Sequence, residues 1–205
     1  MIKKILRKLF IGKEKHRFYY QKKYIDFNIK KGERVLDIES GSDGFPLATH
    51  IADLYSEFSG KKPFTKCDVE NMPFQDKEFD FVYCSHVLEH VNDPVKACSE
   101  LIRVGKRGYI ETPTRLFEIM CNVGFNDPTE HKWYVNLIGN SLIFIPKTSK
   151  DRKNTGNFFF RLYQIRVINP FKYFFKRNKN LFLNMFLWKN KFDYYIFNKD
   201  GKQIQ

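Results

Sequence analysis

The stretch VLDIESGSDGFP (residues 35–46) decides the fold that the sequence predicts. It opens with apolar and β-branched residues, breaks into small, polar and glycine residues, and resumes as FPLAT at 45–49. This order is typical of a buried strand, a tight turn and the start of a helix. In open α/β sheets ligands bind at the carboxyl end of such a strand. Glycine lets a ligand approach the backbone there, and the amides of a helix start favour an anionic group.

Two further blocks follow in the chain, CDVENMPF (67–74) and FDFVYCSHVLEHV (79–91). Together with VLDI at 35–38, they resemble the class I S-adenosylmethionine-dependent methyltransferases of the small-molecule type. The resemblance covers residues 32–114. It implies a Rossmann-like α/β fold, with a doubly wound, mainly parallel sheet and an antiparallel C-terminal hairpin. It also implies S-adenosylmethionine as the cofactor.

Around the first strand, the resemblance implies that Asp37, Glu39 and Gly41 lie at the cofactor. Asp37 stands at the acidic position of the motif, which accepts hydrogen bonds from loop amides or from the cofactor's amino group. Gly41 keeps its place, whereas Glu39 stands where the family normally has glycine. A carboxylate at position 39 either crowds and repels the cofactor's carboxylate or contacts its sulfonium or amino group, and the sequence leaves both outcomes open.

The ends of the next three strands carry the other residues that the resemblance places at the cofactor. Asp53 is expected to bind the ribose hydroxyls, with Glu57 as the second choice. Asp68 and the amide of Val69 are expected to face the adenine ring. Ser85 ends the fourth strand and is expected to face the methyl donor.

The segment DPTEHKWYV (127–135) resembles the stretch that follows the fifth strand in several of these methyltransferases, where its histidine lies near the acceptor pocket. His131 is therefore one candidate general base, because imidazole titrates close to neutral pH. His86 is the rival candidate, and either histidine could instead only orient the backbone. None of the five histidines has metal-ligand spacing to a cysteine or acidic cluster, so the sequence predicts no metal site.

Periodicity and turn residues predict the remaining elements. Strands are expected near 49–55, 64–68, 78–85 and 107–114, with a helix that begins at Pro94 and is capped by Asn92 or Asp93. A hairpin is expected between 134–138 and 140–146, and the helix after the second strand is expected to be missing or reduced to 56–63. A last strand is expected at 192–197.

The formal net charge of +13 is concentrated at the two ends of the chain. Lysine and arginine exceed acids by 12 to 3 over residues 1–34 and by 14 to 3 over 145–205, whereas acids exceed them by 17 to 10 between these segments. Basic ends around an acidic middle predict a cofactor domain flanked by surfaces for something anionic, such as a membrane, a phosphorylated substrate or nucleic acid.

The domain organisation follows this division. Residues 1–31 are predicted to be a basic, amphipathic N-terminal segment whose helix at 1–10 either lies on an anionic membrane or packs on the domain. Residues 32–146 form the predicted S-adenosylmethionine-binding core. The aromatic and basic part at 147–205 is expected to complete the sheet and cap the substrate side. Four cysteines without C-x-x-C spacing, and no span or secretory signal, favour the cytoplasm, with or without peripheral membrane contact.

The function expected from these observations is methyl transfer from S-adenosylmethionine to a small-molecule, glycan or lipid-linked acceptor. A non-catalytic binding module that kept the fold is the alternative that Glu39 motivates. An RNA methyltransferase is the alternative that the basic ends motivate, although no motif for a flipped base is present and nucleic acid ranks below the other partners.

Overall fold

The structure is a computed structural model that describes residues 17–41, 44–56, 60–121, 131–148, 151 and 169–205. The predicted N-terminal amphipathic helix at 1–10 and the second candidate for the ribose, Glu57, lie outside these residues. Residues 158–168 of the aromatic and basic C-terminal part lie outside them as well.

The described residues form nine strands and five helices, and six of the strands make up the central sheet. The strands are β1 (Val35–Ile38), β2 (His50–Ala52), β3 (Phe64–Thr65), β4 (Phe81–Ser85), β5 (Arg107–Pro113), β6 (Trp133–Ile138), β7 (Ser141–Pro146), β8 (Leu183–Lys189) and β9 (Asp193–Ile196). The helices are α1 (Phe18–Gln21), α2 (Pro94–Val104), α3 (Arg115–Cys121), α4 (Pro170–Arg177) and α5 (Lys179–Phe182). The sheet has the order β3-β2-β1-β4-β5-β8, and only β8 runs antiparallel to its neighbour. The predicted Rossmann-like, mainly parallel fold is thereby confirmed.

A second sheet of three strands has the order β6-β7-β9. Strands β6 and β7 form the predicted antiparallel hairpin, and β9 runs parallel to β7. The antiparallel strands near the C-terminus are thus divided between the two sheets. The single strand β8 closes the edge of the main sheet, while the hairpin and the last strand form the small one.

Both faces of the main sheet are covered, which explains why every residue of β1 and β4 is buried. One face carries an aromatic cluster that packs beneath the N-terminal segment, and its largest members are Phe27, Phe45, Phe81, Tyr83 and Tyr109. The other face packs on α2 and on the small sheet. Because side chains alternate along a strand, Asp37, Ser85 and Glu111 point to the aromatic face.

Helix α2 begins where its sequence predicts. The Asp93 side chain accepts hydrogen bonds from the amides of Val95 and Lys96, and Pro94 occupies the first turn. The helix buries Ala97, Cys98 and Leu101 and ends at Gly105. A local cap and an apolar stripe were enough to predict this element.

The predicted helix start after β1 is wrong, since residues 45–48 form a turn. The ring of Phe45 is fully buried and stacks on Tyr83, with the centroids 4.1 Å apart. Thr49 is tied to Val35, because its amide donates to the Val35 carbonyl and its hydroxyl accepts from the Val35 amide, both at 2.8 Å. Aromatic packing and this return to β1 leave no room for a helix. Between β2 and β3, residues 53–56 and 60–63 contain no helix, as the sequence predicted for this connection.

The C-terminal helices carry exposed aromatic and basic side chains. On α4, Tyr173 and Phe174 are exposed, and Lys176 and Arg177 lie in its last turn. None of the helices in the described part of the chain combines the length and the apolar character that a membrane crossing requires.

Candidate functional site

Three acidic side chains lie at the carboxyl edge of the main sheet. Glu39 follows β1, Asp53 follows β2, and Asp68 lies in the turn after β3. Parallel strands bring their carboxyl ends to the same edge, so residues far apart in sequence meet there. Burial, followed by the charge of Asp53 and, more weakly, of Asp68, raises the pKa of Glu39 to about 7. This edge therefore holds concentrated negative charge, which suits a cationic ligand.

Asp53 connects the two turns that border this edge. Its carboxylate is 3% exposed and accepts the Gly41 amide at 2.8 Å through Oδ2. Through Oδ1 it accepts the amides of Tyr55 at 2.8 Å and Ser56 at 2.5 Å. The ribose role of Asp53 stays a prediction. In this conformation a ribose hydroxyl would have to share the carboxylate with three backbone amides.

Asp37 holds the turn that replaces the predicted helix. Its Oδ2 accepts the Phe45 amide at 2.5 Å, and the side chain is almost completely buried. Burial raises the pKa of Asp37 to about 7, although the Phe45 amide and the nearby Lys62 act in the opposite direction. Lys62 also donates to the Phe45 carbonyl at 2.9 Å. The acceptor of the loop amide that the motif implies is thus present at position 37.

The backbone explains why glycine is common at position 39. Glu39 has a φ of 54° and Gly41 a φ of 61°, both in the left-handed region that side chains disfavour. The Glu39 side chain bends towards β2, where Oε2 lies 3.4 Å from the Leu54 amide. Of the two outcomes that the sequence left open, this position next to Asp53 favours attraction of a cationic group.

Asp68 and Val69 form the turn after β3. Oδ1 of Asp68 accepts the Glu70 amide at 2.9 Å, and the Asp68 carbonyl accepts the Asn71 amide at 3.0 Å. The side chain of Asp68 is half-buried, whereas that of Val69 packs in the core. The adenine role of this pair stays a prediction, and its half-buried carboxylate is open to a ligand.

Stability is expected to depend on pH through Glu39. A carboxyl whose pKa is higher in the folded state stabilises the fold below the unfolded pKa of 4.5, and this contribution is lost as the pH rises through about 7. We expect the free energy of unfolding of Glu39→Gln, relative to that of the parent, to be about 1–2 kcal/mol higher at pH 8 than at pH 5. The expected difference is small because the side chain is partly exposed. Urea unfolding at both pH values measures this difference.

The control for this experiment is Asp200→Asn, which removes an exposed acid from the C-terminal turn. It separates the effect of the partly buried Glu39 from a general loss of one negative charge. If the free energy of unfolding of Glu39→Gln differed from that of the parent by the same amount at pH 5 and at pH 8, the partial burial of this carboxyl beside Asp53 would be contradicted.

A second polar cluster lies at the ends of β4 and β5, around the fully buried Glu111. The groups facing its carboxylate are Tyr20 Oη at 2.6 Å, Tyr109 Oη at 2.7 Å, Gln21 Nε2 at 3.0 Å, Ser85 Oγ at 3.1 Å and His86 Nε2 at 3.3 Å. Burial alone would raise the pKa of Glu111, but His86 and the hydroxyl groups lower it to about 2. The sequence reasoning missed this residue, because its partners are far away along the chain.

Helix α1 covers this cluster through Tyr20 and Gln21. Arg17 precedes the helix and donates to the carbonyl and hydroxyl oxygens of Ser85, at 3.0 and 3.3 Å. Ser85 is therefore held between Arg17 and Glu111, and its role towards the methyl donor stays a prediction.

His86, one of the two candidate bases, lies between two buried carboxylates. Its Nδ1 is 3.2 Å from Glu89 and its Nε2 is 3.3 Å from Glu111. Burial would lower the pKa of His86, but these two carboxylates raise it. Two carboxylates beside one ring stabilise the imidazolium, which has no free lone pair to accept a proton, so this geometry favours a positioning role.

The other candidate, His131, belongs to the same region because the start of β6 is anchored to Glu89. The amides of Lys132 and Trp133 donate to the Glu89 carbonyl at 2.7 and 3.2 Å. This brings His131 beside His90, with perpendicular rings 4.4 Å apart. The Nδ1 of His131 lies 3.0 Å from Oε1 of Glu118.

Glu89 is the residue around which these histidines gather. Burial would raise the pKa of Glu89, but His86, His131 and His90 together lower it. The sequence assigned no role to His90 or to Glu89. The pattern HVLEH at 86–90 was the available signal, since it places two histidines and an acid within one short turn.

Part of the core of this chain is similar to a known protein family. The family described as "Methyltransferase domain" matches residues 41–110, which run from the Gly41 turn into β5. Over these residues the chain is similar to the class I methyltransferases. This family uses S-adenosylmethionine, and the acidic edge lies in the matched segment except for Glu39, which immediately precedes it.

Two curated relatives are similar to part of this chain. Demethylmenaquinone methyltransferase of Renibacterium salmoninarum is 36% identical over 91 residues, which cover 38% of this chain and 38% of that protein. Cycloartenol-C-24-methyltransferase 1 of Oryza sativa subsp. japonica is 31% identical over 105 residues, covering 41% of this chain and 30% of that protein. The chain thus spans well under half the length of these curated relatives.

A solved structure supports the fold over a larger part of the chain. A chain of the complex between the Haloferax volcanii Trm112 methyltransferase activator and a methyltransferase matches with a TM-score of 0.52. The match covers 85% of this chain and 88% of that chain at 11% identity. At this identity the likeness concerns the fold alone. The methyltransferase domain is therefore embedded in an architecture that extends to the C-terminal strands.

Proposed function

We propose that this protein transfers a methyl group from S-adenosylmethionine to a small-molecule, glycan or lipid-linked acceptor. The observation that carries the proposal is the acidic edge formed by Glu39, Asp53 and Asp68 within and beside the methyltransferase domain. S-adenosylmethionine has a positive sulfonium and a positive amino group, and buried carboxylates favour both. The two curated relatives support an acceptor of the small-molecule class, since their names specify demethylmenaquinone and cycloartenol.

In this proposal each residue of the acidic edge binds a different part of the cofactor. Asp68 and the Val69 amide hold the adenine, Asp53 holds the ribose side, and Glu39 with the Gly41 turn holds the charged methionine part. Added atoms at Gly41 would meet nothing within 4 Å, so the turn leaves open space beside it. This space and the acidic side chains fit a cationic nucleoside.

The chemistry requires little from the protein beyond orientation. The sulfonium supplies a methyl group that is already electrophilic, and holding donor and acceptor in line can lower the barrier by several kcal/mol. A hydroxyl acceptor must also lose its proton. The cluster of Glu89, His90 and His131 lies beside the end of β4 and is the proposed site of that proton transfer, while His86 positions Glu89 and Glu111.

A second candidate function is a non-catalytic binding module. The observation that favours it is Asp53, whose oxygens already accept three backbone amides. The absence of a helix start in residues 44–49 of the described chain also removes amides that would bind the cofactor's carboxylate. A non-catalytic module could still bind the cofactor, so methyl transfer must be measured as well as cofactor binding.

Calorimetric titration with S-adenosylmethionine and S-adenosylhomocysteine tests the proposal. We expect micromolar binding, weakened about tenfold or more by Asp68→Asn, because a hydrogen bond to a charged group contributes about 1.5–3 kcal/mol. Asparagine can still accept the Glu70 amide, so the turn is preserved. Asp53→Ala is a poorer probe, since it would also release the Gly41 turn.

The matched control is Asp80→Asn at the opposite edge of the sheet, where Asp80 accepts the Arg34 amide at 2.8 Å. We expect this variant to keep the parent affinity. No binding of either ligand up to millimolar concentration would overturn the methyltransferase proposal. Micromolar binding without methyl transfer to any tested small-molecule, glycan or lipid-linked acceptor would favour the binding module.

A further inference from the structure

Ligand atoms of Glu89, His90 and His131 converge outside the proposed cofactor edge. One atom from each of these side chains lies within 4.8 Å of the other two. The arrangement is built by the backbone, because Lys132 and Trp133 donate to the Glu89 carbonyl and fix the start of β6 against the turn at 87–90. A carboxylate and two imidazoles at this spacing form a common set of metal ligands.

The carboxylate of Glu89 supplies a second and independent observation. It is completely buried, and within the described part of the chain neither of its oxygens meets the criteria for a hydrogen bond. His86 Nδ1 lies 3.2 Å from Oε1 and balances part of the charge on that oxygen. Buried carboxylates in folded proteins are normally hydrogen-bonded or bound to a cation, because an uncompensated charge is costly. Among the described residues Oε2 has neither a hydrogen bond nor an ion pair, so Glu89 points to a further ligand.

The orientation of His131 agrees with this inference. Its Nδ1 lies 3.0 Å from Oε1 of the buried Glu118, so a proton on Nδ1 can be donated to that carboxylate. In this tautomer the lone pair is on Nε2. A carboxylate that holds the far nitrogen of a histidine is the usual outer partner of a metal-bound imidazole. Lys147 forms an ion pair with Glu118 and balances its charge.

We propose that Glu89, His90 and His131 bind a divalent transition-metal ion of the Zn²⁺ type. Imidazole nitrogens favour such ions, whereas Mg²⁺ and Ca²⁺ prefer oxygen ligands. The three protein ligands leave at least one position for water or for an acceptor oxygen. The sequence predicted no metal because the ligands have no recognisable spacing, and the proposal departs from that expectation on the folded geometry.

A metal here would also refine the proposed function. With its side chains bound to the ion, the cluster would act by lowering the pKa of an acceptor hydroxyl, as for metal-bound water; the proton would pass to solvent, the oxygen would take the methyl group, and S-adenosylhomocysteine would leave. This second step rests on the proposed methyl transfer. Metal binding itself does not, so it is tested on the protein without cofactor or acceptor.

The experiment titrates Zn²⁺ into the untagged full chain after removal of metal with a chelator. We expect one equivalent to bind with micromolar or tighter affinity and to raise the Tm, while Mg²⁺ does neither. His131→Ala and Glu89→Gln should each weaken Zn²⁺ binding by at least about tenfold. Co²⁺ in place of Zn²⁺ should give a visible absorption band that both variants lose.

His50→Ala is the control, because His50 lies on β2 and contacts Thr65 at 2.8 Å. It should bind Zn²⁺ as the parent does. If Glu89→Gln fails to fold, His90→Ala and His131→Ala decide the question. Failure of the parent to bind Zn²⁺ below millimolar concentration, or binding that survives both histidine variants, would overturn the proposal. The latter result would indicate the cysteines or a surface site instead, and neither result bears on S-adenosylmethionine binding.

Discussion

Glu111→Ala is expected to lower the free energy of unfolding by about 3–5 kcal/mol, the cost of removing one partner from a buried charged cluster. The variant removes the acceptor of Tyr20, Tyr109 and Gln21 and leaves the ring of His86 facing an empty space. Each buried donor that is left without an acceptor lowers the free energy of unfolding further. His86 would also keep only one of the two carboxylates that face its ring. Urea unfolding followed by circular dichroism and fluorescence measures the change.

The effect of Glu111→Ala should also depend on pH. Because the pKa of Glu111 is lowered to about 2, its contribution is present above the unfolded pKa of 4.5 and is lost as the pH falls towards 2. The difference between parent and variant should therefore shrink as the pH is lowered from 6 towards 3. Glu111→Gln, which keeps one acceptor oxygen, should lose less stability than Glu111→Ala at neutral pH.

Glu33→Ala is the matched control for Glu111→Ala, since Glu33 is also ion-paired, to Arg107 at 2.7 Å, but lies nearer the surface. We expect it to cost about 1 kcal/mol or less. A loss below about 1 kcal/mol for Glu111→Ala would show that the cluster does not stabilise the fold. The distinction matters for function, because this cluster fixes helix α1 and Ser85 over the end of β4.

Gly108→Ala is expected to destabilise the protein by about 3 kcal/mol or to prevent folding, at the upper end of the effects of overpacking. A methyl group at Gly108 would lie 2.4 Å from the Val82 carbonyl oxygen and 2.9 Å from the Trp188 ring. Strand β5 lies between β4 and β8, so the carbonyl belongs to a hydrogen-bonded ladder and cannot move aside. The measurement is the urea unfolding midpoint, or the soluble yield if the variant does not fold.

Gly139→Ala separates steric overlap from backbone strain. Gly139 has a φ of 59° and no atom within 4 Å of an added methyl group, so only the left-handed conformation opposes alanine there. We expect a cost of about 1 kcal/mol at this position. A Gly108→Ala variant no less stable than Gly139→Ala would contradict the close approach of β4 and β5.

Local sequence patterns predicted the elements whose causes are local. The apolar run at 35–38 and the alternation before Ser85 predicted the two central strands, and both are buried throughout. Asp93 and Pro94 predicted the start of α2, and its cap is formed as expected. The hairpin of β6 and β7 follows from two short apolar runs around Gly139. In each case the residues that decide the structure are close neighbours in the chain.

The turn at 45–48 shows where local reasoning ends. The residues after the glycine turn predicted a helix start, but Phe45 is buried against Tyr83, which lies in β4 far along the chain. Burial of an aromatic ring contributes more than the weak preference of a few residues for a helix. The contact between Phe45 and Tyr83 that decides between turn and helix forms only when β1 and β4 pack in the same sheet.

The sequence by itself determined that the chain has a mainly parallel sheet with acids at the ends of its strands, and it resembled one family of methyltransferases. The tertiary structure alone decided which polar groups meet. Glu111 gathers Tyr20 and His86, and Glu89 gathers His90 and His131, although the partners come from separate segments. The physical reason is that burial and electrostatic pairing depend on distance in space. The pairing of residues distant along the chain is fixed only when the sheet, the N-terminal helix and the hairpin pack together.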